Sequence, residues 1–363
     1  MSFFSTKFSA LPTNTINQIV ALAANTLGLS KPELIQTSSN TKHVLCLHFP
    51  MVVDSVWAQI VSALKQHNLP YKQVTYAYNI PIFSSKQTPI ANIKNIIAVS
   101  SGKGGVGKSA SAVNLALALQ QEGARVGILD ADIYGPSIPL MLGTVGQSPR
   151  SPDNKIMHPI IAHGLASNSI GYLVDNEHAS IWRGPMASKA LSQLLKETQW
   201  PMLDYLIVDM PPGTGDIQLT ICQQLPLTAA VVVTTPQNIA LNDAAKGIAM
   251  FEKLDVPVLG IIENMSYFEC GKCHHKTAIF AEKGAEQLSE RYELPVLAHV
   301  PLDPTIREYA DDGKALLLEK PQHAISVIYR EAAINLSKNL CELVEVLPTA
   351  ENMANSIQIT RLD

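Results

Sequence analysis

The 363-residue sequence carries little charge, and the balance is slightly acidic. Only 16% of the residues are charged, the formal net charge is −4, and no block of lysine or arginine occurs along the chain. Duplex nucleic acid and anionic membranes both favour proteins with a basic stripe. The sequence therefore predicts that the protein has neither nucleic acid nor a membrane as a partner.

Long apolar runs and export signals are also missing. No stretch approaches the roughly 18 consecutive apolar residues that a membrane-spanning helix needs, and residues 1–10 lack the apolar centre of a secretory signal. The chain has five cysteines, an odd number that argues for reduced thiols and against a disulfide framework. Together these absences predict a cytoplasmic protein.

What the chain has is enough hydrophobic sequence, 47%, for a large buried core. Its length suits one large domain with a small one. Composition and periodicity predict a small α+β module in residues 1–80, a polar linker at 81–93, a large domain at 94–347 and a tail at 348–363. The module's predicted elements are helices at 15–29 and 55–69 and strands at 43–49 and 74–78.

A glycine-rich loop opens the large domain. Residues 102–109 fit G-x-x-x-x-G-K-[ST], between an apolar run at 96–99 that predicts a buried strand and a helical pattern at 110–121. Such loops wrap backbone N–H groups around phosphate oxygens. Lys108 is expected to reach the β and γ phosphates and the Ser109 hydroxyl to bind Mg²⁺. The predicted nucleotide-binding residues here are Gly102, Lys103, Gly104, Gly105, Val106, Gly107, Lys108, Ser109 and Ala110.

Three aspartates follow predicted strands. From residue 96 onward strand and helix patterns alternate, which predicts an α/β domain with a mostly parallel sheet. Asp130 and Asp132 follow a strand pattern at 125–129, and Asp209 ends an apolar run at 203–209, the Walker B arrangement. Ligands bind beyond the carboxyl ends of such strands, and Asp209 is predicted to hold the Mg²⁺ shell. The prolines and glycines of 210–216 predict a switch loop beside the γ-phosphate.

A cysteine pair, Cys270 and Cys273, forms the string C-G-K-C and is followed by His274 and His275. It permits four interpretations: haem attachment, a redox dithiol, a zinc knuckle completed by a histidine, or half of an iron–sulfur site. The missing export signal disfavours haem attachment, and a phosphate-loop fold disfavours the dithiol. A four-iron cluster normally takes four thiolates, which two chains would supply. Two further cysteines, Cys222 and Cys341, are predicted to be thiols of the hydrophobic core.

Two loops carry a family resemblance. With Lys103 the glycine loop reads K-G-G-x-G-K-[ST] and resembles the deviant Walker A loop of the MinD, ParA and Mrp group of ATPases. The string D-x-P-P-G-T-G-D from Asp209 resembles the second switch of the Mrp (ApbC) branch, and the segment with Trp182 and Arg183 is typical of that branch. The implied fold is a MinD-like (SIMIBI) P-loop NTPase with a small N-terminal domain, although residues 1–80 lack the acidic-proline loop usual in that domain.

The resemblance implies a Mg²⁺-dependent ATPase that works as a homodimer. In this family the extra lysine crosses the dimer interface, which gives Lys103 a catalytic role beside Lys108. The second aspartate of the first switch positions the attacking water, which assigns that role to Asp132 and places Asp130 nearer Mg²⁺. No N-K-x-D string for guanine is present, so ATP is expected, with Asn264 and the loop of Asp303 on the adenine side.

The family's C-x-x-C, after an E-N-M-S loop, binds a [4Fe-4S] cluster between protomers, which implies that Cys270 and Cys273 are its ligands. Gly271 and His274 stand where proline and glycine are common, and Asn238 stands where an acidic residue is common. The implied function is an ATP-dependent carrier that passes the cluster to apo-proteins. Three alternatives stay open: a scaffold without nucleotide turnover, a ParA- or MinD-like positioning ATPase, and a zinc-stabilised ATPase without a cluster.

Overall fold

A computed structural model describes residues 9–40, 42–152, 155–173 and 184–347, without the side chains of 184–188 and 216–217. Trp182, Arg183 and the predicted tail at 348–363 lie outside the described residues. Within the described ranges, no helix combines the length and apolar character needed to cross a membrane.

Strands and helices are interspersed along the described chain. The strands are β1 Gln36–Ser39, β2 Leu45–Phe49, β3 Val74–Tyr78, β4 Ile93–Ser100, β5 Val126–Asp130, β6 Ile160–Ala162, β7 Leu165–Ser169, β8 Leu203–Asp209, β9 Ala229–Thr234, β10 Val258–Asn264, β11 Phe268–Glu269, β12 Lys276–Thr277 and β13 Val296–Val300. The α-helices are α1 Thr13–Leu27, α2 Trp57–Gln66, α3 Lys108–Gln121, α4 Ile138–Met141, α5 Gly184–Lys196, α6 Asp216–Gln224, α7 Asn238–Lys253, α8 Gly284–Tyr292, α9 Pro304–Asp311, α10 Leu316–Glu319 and α11 Ala324–Leu343.

The large domain is built on an eight-stranded sheet in the order β13-β10-β9-β4-β8-β5-β7-β6. Its neighbouring strands are parallel except for β6, which pairs antiparallel with β7. Strands β8, β9 and β10 are buried along their whole length, because helices cover both faces of a parallel sheet. The predicted α/β fold with a mostly parallel sheet is confirmed.

Sheet order positions the nucleotide loop. Strand β4 lies between β8 and β9, and the chain leaves β4 through the glycine loop into α3 before returning to β5 beyond β8. The carboxyl ends of β4, β5 and β8 therefore meet at one edge, where open α/β sheets bind their ligands. The sequence predicted these three strands but not β6, β7 or the short helix α4.

The N-terminal segment forms a separate three-stranded sheet in the order β1-β2-β3. Strands β1 and β2 are antiparallel, whereas β2 and β3 are parallel. The sequence missed β1 because all four residues of Gln36–Ser39 are polar and exposed, so no apolar alternation marks the strand.

This small module packs onto the large domain. Lys31 Nζ donates to the carbonyl oxygens of Cys341 and Glu342, at 2.8 and 2.9 Å, at the end of α11. The Tyr78 ring lies against Gly123, just beyond α3, where an added Cβ would come within 2.3 Å of the ring. One apolar core runs from the module into the large domain. The domain limits at residues 80 and 93 stay predictions.

Candidate nucleotide and cysteine sites

The glycine loop turns directly into α3. Gly105 and Gly107 have φ angles of 79° and 83°, in the left-handed region that glycine adopts without strain. Gly102 serves a different need, since a Cβ there would lie 2.1 Å from the backbone of Asp243 in α7. Helix α3 begins at Lys108, two residues earlier than the periodicity predicted, so its free N–H groups face the loop.

Lys108 and two of the predicted aspartates lie together at this edge. Lys108 Nζ is 2.5 Å from Asp209 Oδ1, 3.2 Å from Ser109 Oγ and 4.0 Å from Asp132 Oδ2. The Lys108 and Asp209 side chains are 6% and 0% exposed. The lysine thus neutralises a carboxylate that burial would otherwise penalise, at the place where phosphate would bind.

Asp130 holds the first switch loop together. It accepts hydrogen bonds from Ser169 Oγ at 3.0 Å and from the backbone N–H groups of Asp132 and Ile138 at 3.1 and 3.2 Å. Burial raises the pKa of Asp130, and the neighbouring Asp209 carboxylate adds to the shift. The Asp130 carboxylate thus closes the turn that carries Asp132. Burial raises the pKa of Asp132, and the nearby Lys108 opposes this shift.

The residues present fit a magnesium ion. Asp209 Oδ2 is buried and has no hydrogen-bond partner among the described residues. Burial raises the pKa of Asp209, while Lys108 and the Ser109 hydroxyl oppose the shift. An orphaned carboxylate oxygen beside a hydroxyl, with Asp130 on the neighbouring strand end, is the hard oxygen set that Mg²⁺ prefers.

The predicted second switch lies against the glycine loop. Gly213, at a φ of 100°, donates its N–H to the carbonyl of Ser101 at 3.0 Å, and Gly104 faces the Pro212 ring. The backbone carbonyl of Asp209, which precedes this loop, accepts the N–H of Ala131 from the first switch at 2.8 Å. Backbone contacts therefore link the first switch to the end of β8, and the second switch to Ser101 at the start of the glycine loop.

Other predicted residues make local contacts. Lys103 Nζ donates to Gln237 Oε1 of the same chain at 3.1 Å. Asn264 Nδ2 donates to the carbonyl of Val106 at 2.9 Å, which attaches β10 to the glycine loop. Asp303 caps α9 by accepting the N–H of Thr305 at 2.8 Å. Their roles toward a partner subunit or adenine stay predictions.

The cysteine pair lies on a small hairpin made by β11 and β12. The N–H of Cys270 donates to the carbonyl of His275 at 3.0 Å, and the N–H of His274 donates to the carbonyl of Cys270 at 2.9 Å. The N–H groups of Cys273 and Lys272 point at the Cys270 sulfur and lower the pKa of that thiol. His274 adopts a φ of 56°, so a histidine here takes the left-handed conformation that glycine would supply. Backbone hydrogen bonds therefore close the turn that carries the two cysteines, with His274 in the left-handed position.

Neighbouring side chains do not complete a ligand set around the pair. His274 Nδ1 lies 3.0 Å from Glu269 Oε1. In the described part of the chain, no third histidine, cysteine or carboxylate forms a ligand group with Cys270 and Cys273. Cys222 and Cys341 are buried, as predicted, and burial raises the pKa of each to about 12.

Comparison with known proteins places this geometry in a family. Residues 92–337 match the family described as ParA, NUBPL iron-transfer P-loop NTPase. The chain belongs to this family. The resemblance inferred from the glycine loop and the second switch is thus confirmed.

Relatives of the chain cover between 64% and 96% of its length. An iron-sulfur cluster carrier protein of Salmonella typhimurium is 54% identical over 313 residues, which is 83% of this chain and 85% of that protein. An iron-sulfur cluster carrier protein of Haemophilus influenzae is 49% identical over 361 residues, 96% of this chain and 97% of that one. A solved nucleotide-binding protein from Archaeoglobus fulgidus, in complex with ADP and with cobalt, aligns at a TM-score of 0.57 and 36% identity, over 64% of this chain and 90% of that chain.

Sequence reasoning gave no role to three polar residues near the strand ends, of which Ser169 and Gln237 contact predicted site residues and Glu263 does not. Ser169 supports Asp130 from β7, a polar strand without a recognisable pattern. Gln237 contacts Lys103, and Glu263 is a buried carboxylate at the end of β10. The rule that located the aspartates, polar residues at the carboxyl ends of strands, applies equally to Gln237 and Glu263 and would have found both.

Proposed function

We propose that the protein is an ATP-dependent iron–sulfur cluster carrier that acts as a homodimer and passes a [4Fe-4S] cluster to apo-proteins. The observation that carries the proposal is the cysteine hairpin, which presents two thiols close together in the turn, one on the half-buried Cys270 and one on the exposed Cys273. The described residues supply no third ligand beside them. A second copy of the hairpin would complete the four thiolates of the cluster.

The names of the relatives support the iron–sulfur part of the proposal. The curated bacterial proteins are called iron-sulfur cluster carriers, and a mouse relative 48% identical over 257 residues is called an iron-sulfur cluster transfer protein. These names disfavour a positioning ATPase, whose DNA or membrane partner would also need a basic stripe that this acidic chain lacks.

The nucleotide part of the proposal rests on a group of side chains at the sheet edge, where Lys108 lies beside Asp209 and Asp132. ATP would bind with its phosphates in the glycine loop, held by Lys108 and the N-terminus of α3. Asp132, 14% exposed and 4.0 Å from Lys108 Nζ, would orient the attacking water. Ser109, Asp209 and Asp130 would hold Mg²⁺, which neutralises charge on the phosphates when bound. Asn264 and Asp303 would lie on the adenine side, and the cytoplasmic location stays a prediction.

Homodimerisation would require Lys103 to exchange its contact. In the single chain Lys103 bonds to Gln237, a neutral partner that a phosphate oxygen outcompetes because charge-assisted hydrogen bonds are stronger. Lys103 would then reach the nucleotide of the partner subunit. Binding of ATP would thereby alter the dimer that holds the cluster.

Anaerobic reconstitution with iron and sulfide tests the cluster. We expect a brown dimer with about four iron and four sulfide per pair of chains, measured by metal analysis, visible absorption and light-scattering mass. Replacing Cys270 and Cys273 by serine should abolish colour and bound iron, whereas Cys222→Ser, in the core, should keep both. A colourless protein that retains zinc through its cysteines, or a brown monomer, would refute the proposal.

A transfer assay tests the nucleotide. Cluster delivery to an apo-ferredoxin should be faster with MgATP than with a non-hydrolysable ATP analogue. Equal rates would show that nucleotide turnover is irrelevant and would favour a passive scaffold. The Asp132→Asn variant should transfer the cluster at the analogue's rate even with ATP present.

A further inference from the structure

A histidine lies between two glutamates at the end of the sheet that carries β13 and β10. His299 is on β13, Glu263 is the penultimate residue of β10 and Glu286 is in the first turn of α8. His299 Nδ1 is 3.2 Å from Glu263 Oε1, and His299 Nε2 is 3.7 Å from Glu286 Oε1. The ligand-type atoms of these three residues all lie within 4.8 Å of one another.

Glu263 fixes the orientation of the imidazole. Its side chain is 2% exposed, and it accepts hydrogen bonds from Ser266 Oγ and from the N–H of Ala285, both at 2.5 Å. The Glu263 carboxylate and the nearby Ser266 hydroxyl oxygen can both accept a hydrogen bond from Nδ1 of His299. They therefore favour the tautomer that carries its proton on Nδ1. In the neutral imidazole this tautomer leaves the lone pair on Nε2, on the side of Glu286.

Glu286 has unused binding capacity on that side. Its Oε2 is buried and has no hydrogen-bond partner among the described residues. Its Oε1 lies 3.7 Å from Nε2, beyond the range of a hydrogen bond. Two ligand atoms each about 2.0–2.1 Å from one zinc ion are roughly 3.3 Å apart at the tetrahedral angle. The 3.7 Å between His299 Nε2 and Glu286 Oε1 is therefore close to the distance between two ligand atoms of one metal ion.

We propose that His299 Nε2 and Glu286 bind a single divalent transition-metal ion, with Glu263 as the carboxylate that orients the histidine. Metal-ligating histidines regularly donate their other N–H to a carboxylate in this way. A ligand set that mixes imidazole and carboxylate suits Zn²⁺. Mg²⁺ and Ca²⁺ prefer sites made only of oxygen ligands, so this set disfavours them. His299 and Glu286 are 41% and 39% exposed, so the ion enters from solvent and water completes its shell.

This site is separate from both sites of the proposed function. It joins β10, β13 and α8, and through Glu263 it reaches Ser266, four residues before Cys270. A bound ion would hold the start of α8 against the segment that leads to the cysteine hairpin. Its expected role is to stabilise this corner of the fold.

The test uses the full chain with Cys270 and Cys273 replaced by serine and with the glycine loop saturated by MgADP. Cobalt(II) is titrated as the probe and followed by its visible absorption and by calorimetry. We expect about one Co²⁺ per chain at this site, competed by Zn²⁺. His299→Gln and Glu286→Gln should each weaken binding at least ten-fold, and Glu263→Gln about 10- to 100-fold.

Glu290→Gln is the matched control, because Glu290 is an exposed glutamate one turn further along α8. It should bind cobalt like the parent. Zn²⁺ should also raise the melting temperature of the parent but not of Glu286→Gln, a half-exposed position where glutamine has nearly the same shape. Unchanged binding in His299→Gln and Glu286→Gln, or no stoichiometric binding in the parent, would overturn the site. Because the cysteines are absent, either result leaves the cluster proposal standing.

Discussion

Lys103 and Lys108 lie in one loop but contact different groups, so replacing each by glutamine should separate two functions. Lys108 is buried against Asp209, whereas Lys103 is partly buried against Gln237. Lys108→Gln should reduce ATP affinity roughly 10- to 100-fold, because a hydrogen bond to a charged group contributes about 1.5–3 kcal/mol. Lys103→Gln should bind ATP like the parent but fail to form the ATP-dependent dimer.

Fluorescent-ATP binding and light-scattering mass distinguish these outcomes. Asn264→Ala is a useful third variant, because its amide contacts the Val106 carbonyl and its loss should loosen the loop without removing charge. If Lys103→Gln forms the ATP-dependent dimer as readily as the parent, the assignment of Lys103 to the partner's nucleotide is wrong.

Asp204 makes an ion pair at the opposite ends of the strands from the nucleotide. It accepts hydrogen bonds from Arg125 Nε and Nη2 at 2.9 and 2.8 Å, and Lys94 Nζ lies 2.9 Å from it. Burial alone would raise the pKa of Asp204, but the hydrogen bonds from Arg125 and Lys94 outweigh burial and lower it. Asp204→Asn should reduce the free energy of unfolding by about 2–3 kcal/mol at pH 7, measured in urea.

The stability contributed by Asp204 depends on pH. Because its folded-state pKa lies below the unfolded value of about 3.9, the contribution is present above that value and is lost as pH falls through the folded-state pKa. The difference between parent and Asp204→Asn should shrink below about pH 4. The control is Asp255→Asn, whose carboxylate is 75% exposed beside Lys86 and should change stability by less than about 1 kcal/mol. Equal losses in both variants would contradict the prediction.

At the scale of single residues, the sequence indicated the carboxylates at the strand ends better than the residues that support them. Asp130, Asp132 and Asp209 were identifiable because each follows a recognisable strand. Ser169, which bonds to Asp130, belongs to a strand with polar residues that happen to be fully buried. Its position depends on pairing between β5 and β7, which local pattern does not encode.

Among the elements, the cysteine hairpin gives the sharpest test of ligand identity. His274 occupies a left-handed backbone position and pairs with Glu269. Glycine fits this conformation without strain, so His274→Gly should keep the full cluster content and lose cluster to a chelator no faster than the parent. His274→Val should lose it faster, because a β-branched residue resists this conformation.

Absorbance decay in the presence of a chelator measures both variants. Gly271→Ala is the control, since an added Cβ at Gly271 meets nothing within 4 Å. Loss of metal in His274→Gly would instead identify this histidine as a ligand, as the haem interpretation requires and the zinc interpretation allows. If His274→Gly retains the metal, the thiolates of Cys270 and Cys273 would remain as the ligands that each chain supplies.

The accuracy of element prediction followed hydrophobicity. Strand β8 is mostly apolar and was predicted at 203–209, because a strand buried on both faces needs such a run. Strand β1 is entirely polar and β7 ends in three polar residues, and both strands were missed. Strand order and register depend on partners far apart in the chain, so periodicity could not supply them.

For the molecule as a whole, the attachment of the small module was invisible in the sequence. Lys31 and the carbonyl of Cys341 are 310 positions apart. Ser55 donates its N–H to Glu122 at 2.8 Å, and the Cys341 thiol lies 3.7 Å from the carbonyl of Pro50. These contacts join the module to the ends of α3 and α11, so it is anchored to the same helix that begins at the nucleotide loop.

Because one apolar core spans the module and the large domain, the chain should unfold in a single calorimetric transition. Gly123→Ala tests the junction. Gly123 has a φ of 101°, and its new Cβ would lie 2.3 Å from the Tyr78 ring, so strain and steric overlap should both lower the melting temperature. Gly146→Ala has similar strain, at a φ of 78°, but open space around the Cβ, and should lower it less.

The double variant Gly123→Ala/Tyr78→Ala separates the two effects. If Tyr78 is the group that the new methyl displaces, the combined loss of stability should be smaller than the sum of the single losses, because neighbouring substitutions that share a contact are not additive. Additive losses would mean that the ring does not press on Gly123. Two separate transitions in the parent would mean that the module unfolds independently, and Lys31, Tyr78 and Glu122 would then be contacts without a shared cooperative core.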